Sequence, residues 1–380
     1  MTEGLGRSPQ PPTLSPRPFK PSSRRRQYID WARGIAVLLM IEAHTLDAWT
    51  RPAARATKVF RDATILGGFA APLFLWLAGV AVALSAASAT RRRGHSSAGL
   101  ATVCHRGIEI FILAFLFRLQ AFVVSPGSHP LTLFRVDILN IMGPSMVAVG
   151  IVWGLCATPA LLVGAYAALA CATAMLTPLV RTSALVGTLP VWIQWYIRPA
   201  GEQTTFTGFP WAGFVFAGAA CGALLAAARN TEDERRLHGW LALAGLAILA
   251  IGFYTASLPS IYGQSSFWTS SPTYFAIRTG ILMTMLSVTY GVAWTLERRG
   301  VFCRSLERLG RSSLFVYWIH VELVYGYATW PIRHRLPVAG TFIAYVVFTA
   351  LMYAAVVAKS RIVDAWQIRH RDSQPHPVTA

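Results

Sequence analysis

The chain has 380 residues, of which 54% are hydrophobic and only 13% charged, with a net charge of +18. That charged fraction is about half of what a soluble domain carries, and apolar runs of about twenty residues, each enough to cross a hydrocarbon core of roughly 30 Å, recur from Tyr28 almost to the C-terminus. Together these exclude a soluble domain, and the lack of alternating ten-residue segments excludes a β-barrel; the basic excess sits in short loops beside apolar spans and reads as membrane topology, with no nucleic-acid partner.

An all-α, polytopic transmembrane bundle of about ten helices is predicted. Residues 1–27, rich in Pro, Ser and Arg, lack the apolar content to pack and are expected to form a disordered, basic cytoplasmic tail. Spans follow at about 28–49, 63–88, 104–125, 136–156, 159–180, 208–228, 240–258, 273–296, 312–329 and 339–358. Residues 28–358 then make one transmembrane domain and 359–380 a cytoplasmic tail. No small-residue cleavage site follows the first apolar run, so it reads as a retained helix and not a signal peptide. Trp192, Trp195 and Tyr196, near Pro190 and Pro199, mark the long 181–207 gap as an interfacial or re-entrant segment. Cys104, Cys156, Cys171, Cys221 and Cys303 are scattered singly, without metal-like spacing. They read as small hydrophobes, and no metal is expected.

Loop charge sets the orientation. With both termini cytoplasmic, the inner segments carry Arg24–Arg26, Arg91–Arg93, Arg235, Arg236, Arg298, Arg299, Arg304, Arg308, Arg311, Arg369 and Arg371. Loop 50–62, with Arg51, Arg55, Lys58 and Arg61, is the exception. The expected location is the cytoplasmic (inner) membrane, with multiple passes. Gly68-Phe69…Ala78-Gly79 echoes Gly208-Phe209…Ala217-Gly218; both are small-residue segments that permit close helix packing.

Ionisable groups are costly in a bilayer core and therefore face a cavity or a partner. In the first span Asp30, Arg33, Val37, Met40, His44 and Asp47 step by three or four and share one helix face. Arg33 and His44 are eleven residues apart, about 16 Å along the axis. The stripe marks a path through the bundle; the plainer alternative is an interfacial Asp30–Arg33 pair. His44 is a candidate general base or nucleophile, with Asp47 one turn on to orient its ring. Arg118 lies in the third span and Arg135, Asp137 and Asn140 open the fourth, where a pair between Arg135 and Asp137 at the outer interface can also be structural. Arg106 and Glu109 read as a structural pair. Arg278 has no local partner and needs one on another helix or on a bound anion, and His320 lies mid-span one turn from Tyr317.

Several segments resemble known membrane acyltransferases. Tyr28-Ile29-Asp30-Trp31-Ala32-Arg33-Gly34-Ile35-Ala36-Val37, followed by His44, resembles the first helix of the acyltransferase-3 family. Gly68–Val80 is similar to its second helix and to the bacterial relatives of heparan-α-glucosaminide N-acetyltransferase. Phe209–Phe214, with Gly218 and Gly222, resembles a segment of those relatives, and Leu309–Glu322 their late Gly-x-x-Ser-Leu-x-x-Tyr-x-x-His element. The resemblance implies an acyl group, expected to be acetyl, passed from cytosolic acyl-CoA to a sugar or glycan hydroxyl or amine beyond the membrane. It implies Arg33 on the donor side and His44 as the catalytic histidine. The reactive histidine of the lysosomal enzyme lies beyond its first helix and has no match here, and Arg135-Val136-Asp137-Ile138-Leu139-Asn140 departs from the relatives' motif at that place. With no phosphate-binding glycine loop, acyl-CoA would be held by helix ends and arginines.

Asp30, Arg33, Arg118, Arg135, Asp137, Asn140, Arg278 and His320 are therefore the expected donor- and substrate-binding residues, and His44 with Asp47 the catalytic pair. A transporter of a small anionic or sugar-like solute is the competing reading, and a structural membrane subunit the third. The oligomeric state is left open.

Overall fold

The computed structural model describes residues 26–124, 129–301 and 303–372. The expected N-terminal tail up to residue 25, Arg24 and Arg25 among it, lies outside the described residues, as do residues 373–380 and the side chains of Arg369 and Arg371.

Fourteen α-helices are described: α1 (Gln27–Trp49), α2 (Lys58–Gly67), α3 (Ala70–Arg93), α4 (Ser96–Val124), α5 (Ile138–Leu155), α6 (Pro159–Thr182), α7 (Ala184–Gly187), α8 (Val191–Ile197), α9 (Gly208–Ala227), α10 (Thr231–Ala256), α11 (Pro272–Arg298), α12 (Arg304–Arg311), α13 (Ser313–Tyr325) and α14 (Val338–Asp372). Among the described residues there is no β-strand, and only two isolated bridges, Thr50–Leu336 and Val136–Thr204, tie loops together. Local chemistry fixes several helix ends. Thr158 accepts from the Leu161 N–H ahead of Pro159, and Asn230 accepts from the Asp233 N–H at 2.8 Å before an acidic first turn. Gly94, at φ +79°, closes α3 in a left-handed cap that a residue with a Cβ adopts poorly.

Among the described residues, eight helical stretches are long and apolar enough to cross a membrane. The two remaining predicted spans differ from these for physical reasons. Helix α1 has 23 residues but carries Asp30, Arg33, Glu42, His44 and Asp47. Helix α13 has 13 residues, about 20 Å of rise, and ends in a 3-10 turn over Tyr327–Ile332, so the predicted 312–329 span is a short helix and a turn. The second predicted span is broken at Gly68–Phe69, between α2 and α3. Helix α14 continues past residue 358 to Asp372. The aromatic segment after α6 folds as α7 and α8.

Helices α1, α3 and α9 occupy the centre. Lipid offers helices no hydrophobic reason to associate, so close van der Waals packing holds them. The two echoing glycine segments are each other's partners: Gly218 lies on the Trp76 backbone of α3, and Gly79 on the Val215 backbone of α9, leaving no room for a Cβ. Trp76, Leu73, Leu77, Phe214 and Val215 are fully buried around this crossing. A second tight crossing joins α1 to α12, with Gly310 against the Asp30 backbone and Gly34 against Leu306. At the periphery α10 and α14 turn Trp240, Phe253, Phe342, Ile343 and Val347 outward, as helices facing hydrocarbon do.

Candidate functional site

The face of α1 read from the sequence borders a cavity of about 1510 Å³ enclosed mainly by α1, α3, α4, α9, α11 and α13. Arg33, Met40, His44 and Asp47 lie in its wall. Asp30 does not: it is buried at the α1–α12 crossing and pairs with Arg33 at 3.4 Å, the arrangement anticipated as the plainer alternative. Arg33 therefore contributes a guanidinium that is anchored on one side and open to the cavity on the other.

Helix register gives the cavity two ends. Arg33 shares its end with Arg106 of α4 and Arg311 of α12. Arg106 pairs with Glu109 at 2.8 Å, as expected, and Arg311 lies 3.6 Å from Glu307. His44 belongs towards the other end, with Arg135, Arg181 and Trp268.

On that side α4 and α5 are joined by an ion pair between Arg118 and Asp137, both largely buried. Asp137 thus bonds Arg118 and not its sequence neighbour Arg135, whose Nε donates to Thr205 Oγ1 at 3.0 Å. The segment carrying Thr205 is tied back to Val136 by backbone hydrogen bonds of 2.9 and 3.0 Å. Asn140 also has a part in the fold. Its Oδ1 accepts from the Asp137 N–H at 3.0 Å to cap α5, and its Nδ2 reaches Tyr196 Oη at 3.5 Å. Burial pushes the Tyr196 phenol above its usual pKa, while the Asn140 contact pulls it down.

Arg278 lies in the wall without an acidic partner among the described residues. Its Nη2 donates to Tyr274 Oη at 2.9 Å, and its guanidinium carbon lies 4.1 Å from the Tyr274 ring centre and 5.9 Å from those of Phe69 and Trp211. Aromatic faces supply the negative potential that a carboxylate otherwise would. Its Nε is enclosed and unbonded, as is that of Arg181, which also lines the cavity.

His44 is half-buried and stands in the wall, with its Nδ1 enclosed and unbonded. The expected Asp47–His44 hydrogen bond is not formed. Asp47 Oδ2 accepts instead from Tyr325 Oη at 2.8 Å, and Arg55 approaches Oδ1 at 3.8 Å. The reason is directional: Asp47, at the last turn of α1, is exposed and points to the loop and to α13, not back along its own helix. His320 is wholly buried and outside the wall, with its ring centre 5.0 Å from that of His44. Among the described residues no group of three or more His, Cys, Asp or Glu side chains could hold a metal ion.

Cationic groups at both ends, an imidazole between them and aromatic faces in the wall can hold an anionic donor, activate a hydroxyl or amine, and seat a ring-shaped acceptor. The sequence matches the family described as heparan-alpha-glucosaminide N-acetyltransferase, catalytic, over residues 25–259. The chain belongs to this family. A search among curated proteins gives no match.

The match to this acetyltransferase family covers α1–α10, and so Arg33, His44, Arg118, Arg135 and Asp137; Arg278 and His320 lie beyond it. Arg181, the first residue of the predicted 181–207 gap, was not among the expected site residues; on the ninth predicted span His320 was named, whereas its neighbours border the cavity. Tyr317, Val321 and Tyr325 all line the cavity. Their spacing of four is the periodicity that revealed the α1 stripe, and the same count over α13 finds them.

Proposed function

We propose that the protein transfers an acyl group, acetyl in the first instance, from acyl-CoA on the cytoplasmic side to a hydroxyl or amine of a sugar or glycan on the opposite side. The observation that carries this reading is the one cavity bordered by both Arg33 and His44. Family membership supports an acetyl transfer, and the cavity offers it a route.

At the Arg33 end the guanidinium groups of Arg33, Arg106 and Arg311 attract the phosphates of CoA. The about 16 Å of helix rise between Arg33 and His44 is then covered by the extended pantetheine arm, which presents the thioester carbonyl to the imidazole. Two courses are open to His44. As general base it takes the acceptor's proton while the acceptor oxygen or nitrogen attacks the carbonyl. As nucleophile it takes the acyl group first and passes it on. In both, the C–S bond breaks with its electron pair on sulfur, and the thiolate is protonated to free CoA. At the His44 end the rings of Trp211 and Tyr274, with Arg278 between them, offer flat apolar faces and a cation to a sugar ring.

The excess of basic residues on one set of loops supports both termini in the cytoplasm of a cell with this protein in its inner membrane. A reporter fused after Ala380 reads that orientation. The transfer itself is tested in proteoliposomes given labelled acetyl-CoA outside and an amino sugar inside. Label on the enclosed sugar is expected. Intact acetyl-CoA with net movement of solute favours the transporter reading instead.

A further inference from the structure

His320 is used by nothing in the mechanism above, yet it is wholly buried beside its central residue. Its Nδ1 lies 2.9 Å from the Val316 carbonyl oxygen and 3.0 Å from that of Tyr317. A carbonyl oxygen only accepts, so Nδ1 carries the hydrogen. In a neutral imidazole that leaves Nε2 as a lone-pair acceptor. The helix α13 backbone therefore fixes the tautomer of His320. That Nε2 is enclosed and has no partner among the described residues, an arrangement that buried acceptors rarely tolerate.

The matching unsatisfied atom is on His44, whose Nδ1 is likewise enclosed and unbonded. The two ring centres are 5.0 Å apart, with 60° between the planes. The two nitrogens are not bonded as they stand. An N–H···N bond of about 2.9 Å between two imidazole edges, with the ring radii added, needs a centre spacing of roughly 5 Å, which the rings already have, so a turn of the His44 ring about its Cβ–Cγ bond is all the pairing requires. His320 can only accept at this face, so the bond forms when His44 carries its hydrogen on Nδ1.

We infer that His320 is a positioning residue, which accepts a hydrogen bond from His44 Nδ1 and so leaves His44 Nε2 with its lone pair for the cavity. The consequence for turnover rests on the acyl-transfer reading; the pairing of the two rings does not. In the base course the acceptor's proton goes to His44 Nε2, the new acyl bond forms, the C–S pair goes to sulfur, and the proton passes from Nε2 to the thiolate. Throughout, the Nδ1–H of the transient imidazolium points at the His320 lone pair, and His320 gains and loses nothing. This places on α13 the orienting role that Asp47, engaged by Tyr325, does not fill.

Two substitutions separate this role from a tether. His320→Asn can still donate to the α13 carbonyls but has no acceptor where Nε2 stood. His320→Gln reaches that place with Oε1. Turnover of acetyl-CoA is expected to fall roughly ten- to a hundredfold in His320→Asn with KM unchanged, the kinetic equivalent of one hydrogen bond to a charged group, and to be largely retained in His320→Gln. A structural tether gives the reverse order, and that result overturns the inference. A second readout needs no acyl transfer: the rate at which diethyl pyrocarbonate modifies His44, followed by peptide mass spectrometry. It is expected to fall in His320→Asn and hold in His320→Gln. Equal rates in both variants and the wild type overturn the pairing, whatever the reaction. The expected rates in a protein that transfers no acyl group leave the pairing standing and remove the functional reading.

Discussion

Tyr325 Oη donates to Asp47 Oδ2 at 2.8 Å, which commits the carboxylate one turn beyond His44 to a different helix. Arg55 adds a second hold through Asp47 Oδ1 and the Asp47 carbonyl. Asp47 thus fastens the end of α1 to α13 and to the following loop. Asp47→Asn should therefore lower the melting temperature of the detergent-solubilised protein while reducing kcat less than tenfold. A loss as large as that of His44→Ala would return Asp47 to the catalytic pair.

The Arg118–Asp137 pair joins α4 to α5 within the cavity wall. Removing one partner of a buried pair leaves the other charge without compensation, at about 3–5 kcal/mol, whereas replacing both with apolar residues is often neutral. Asp137→Asn should be strongly destabilised, and Arg118→Met with Asp137→Leu should recover most of the loss. Thermal unfolding in one detergent compares the three proteins. Equal melting of Asp137→Asn and wild type would show that the pair contributes nothing to the fold.

Arg33 is anchored by buried Asp30 and open to the cavity. If it holds the donor, Arg33→Ala should raise the KM for acetyl-CoA more than it lowers kcat, because the lost interaction is made equally in the ground state and the transition state. Steady-state kinetics over a range of acetyl-CoA concentrations distinguish this from a chemical role, in which kcat falls and KM holds.

Gly218 lies against the Trp76 backbone with no space for a side chain. Gly218→Val forces α3 and α9 apart at the centre of the bundle. Loss of monodisperse protein on size-exclusion chromatography is expected, while Gly239→Val, at a glycine with open space around it, should purify normally.

Much of this fold was legible because membrane spans write their length and apolarity into the sequence. The boundaries of α5, α6, α9 and α11 fall within about two residues of prediction, with Thr158 and Pro159 marking the start of α6 as read. The break at Gly68–Phe69 was not legible, since an apolar run continues across it. In the site, the α1 stripe placed Arg33 and His44 on a shared wall because helical spacing alone decides it. Pairings between helices were another matter. Asp137 with Arg118, Asp47 with Tyr325 and His44 beside His320 are separated by 19 to 278 residues, and nothing local to either partner encodes them. The cap made by Asn140 was hidden for a different reason: a polar residue at a helix start serves a ligand or a cap equally well by sequence, and only the geometry shows the cap.

The central claim is that His44 performs the transfer, and the purified His44→Ala protein tests it most directly. Losing a general base costs about 10²–10⁴-fold in rate. His44 is half-buried in the cavity wall, so removing its ring should leave the fold intact, with an unchanged melting temperature. Under single-turnover conditions with labelled acetyl-CoA and an amino sugar, His44→Ala should transfer label at least about a hundredfold more slowly than wild type. Transfer at the wild-type rate by the folded variant would contradict the account.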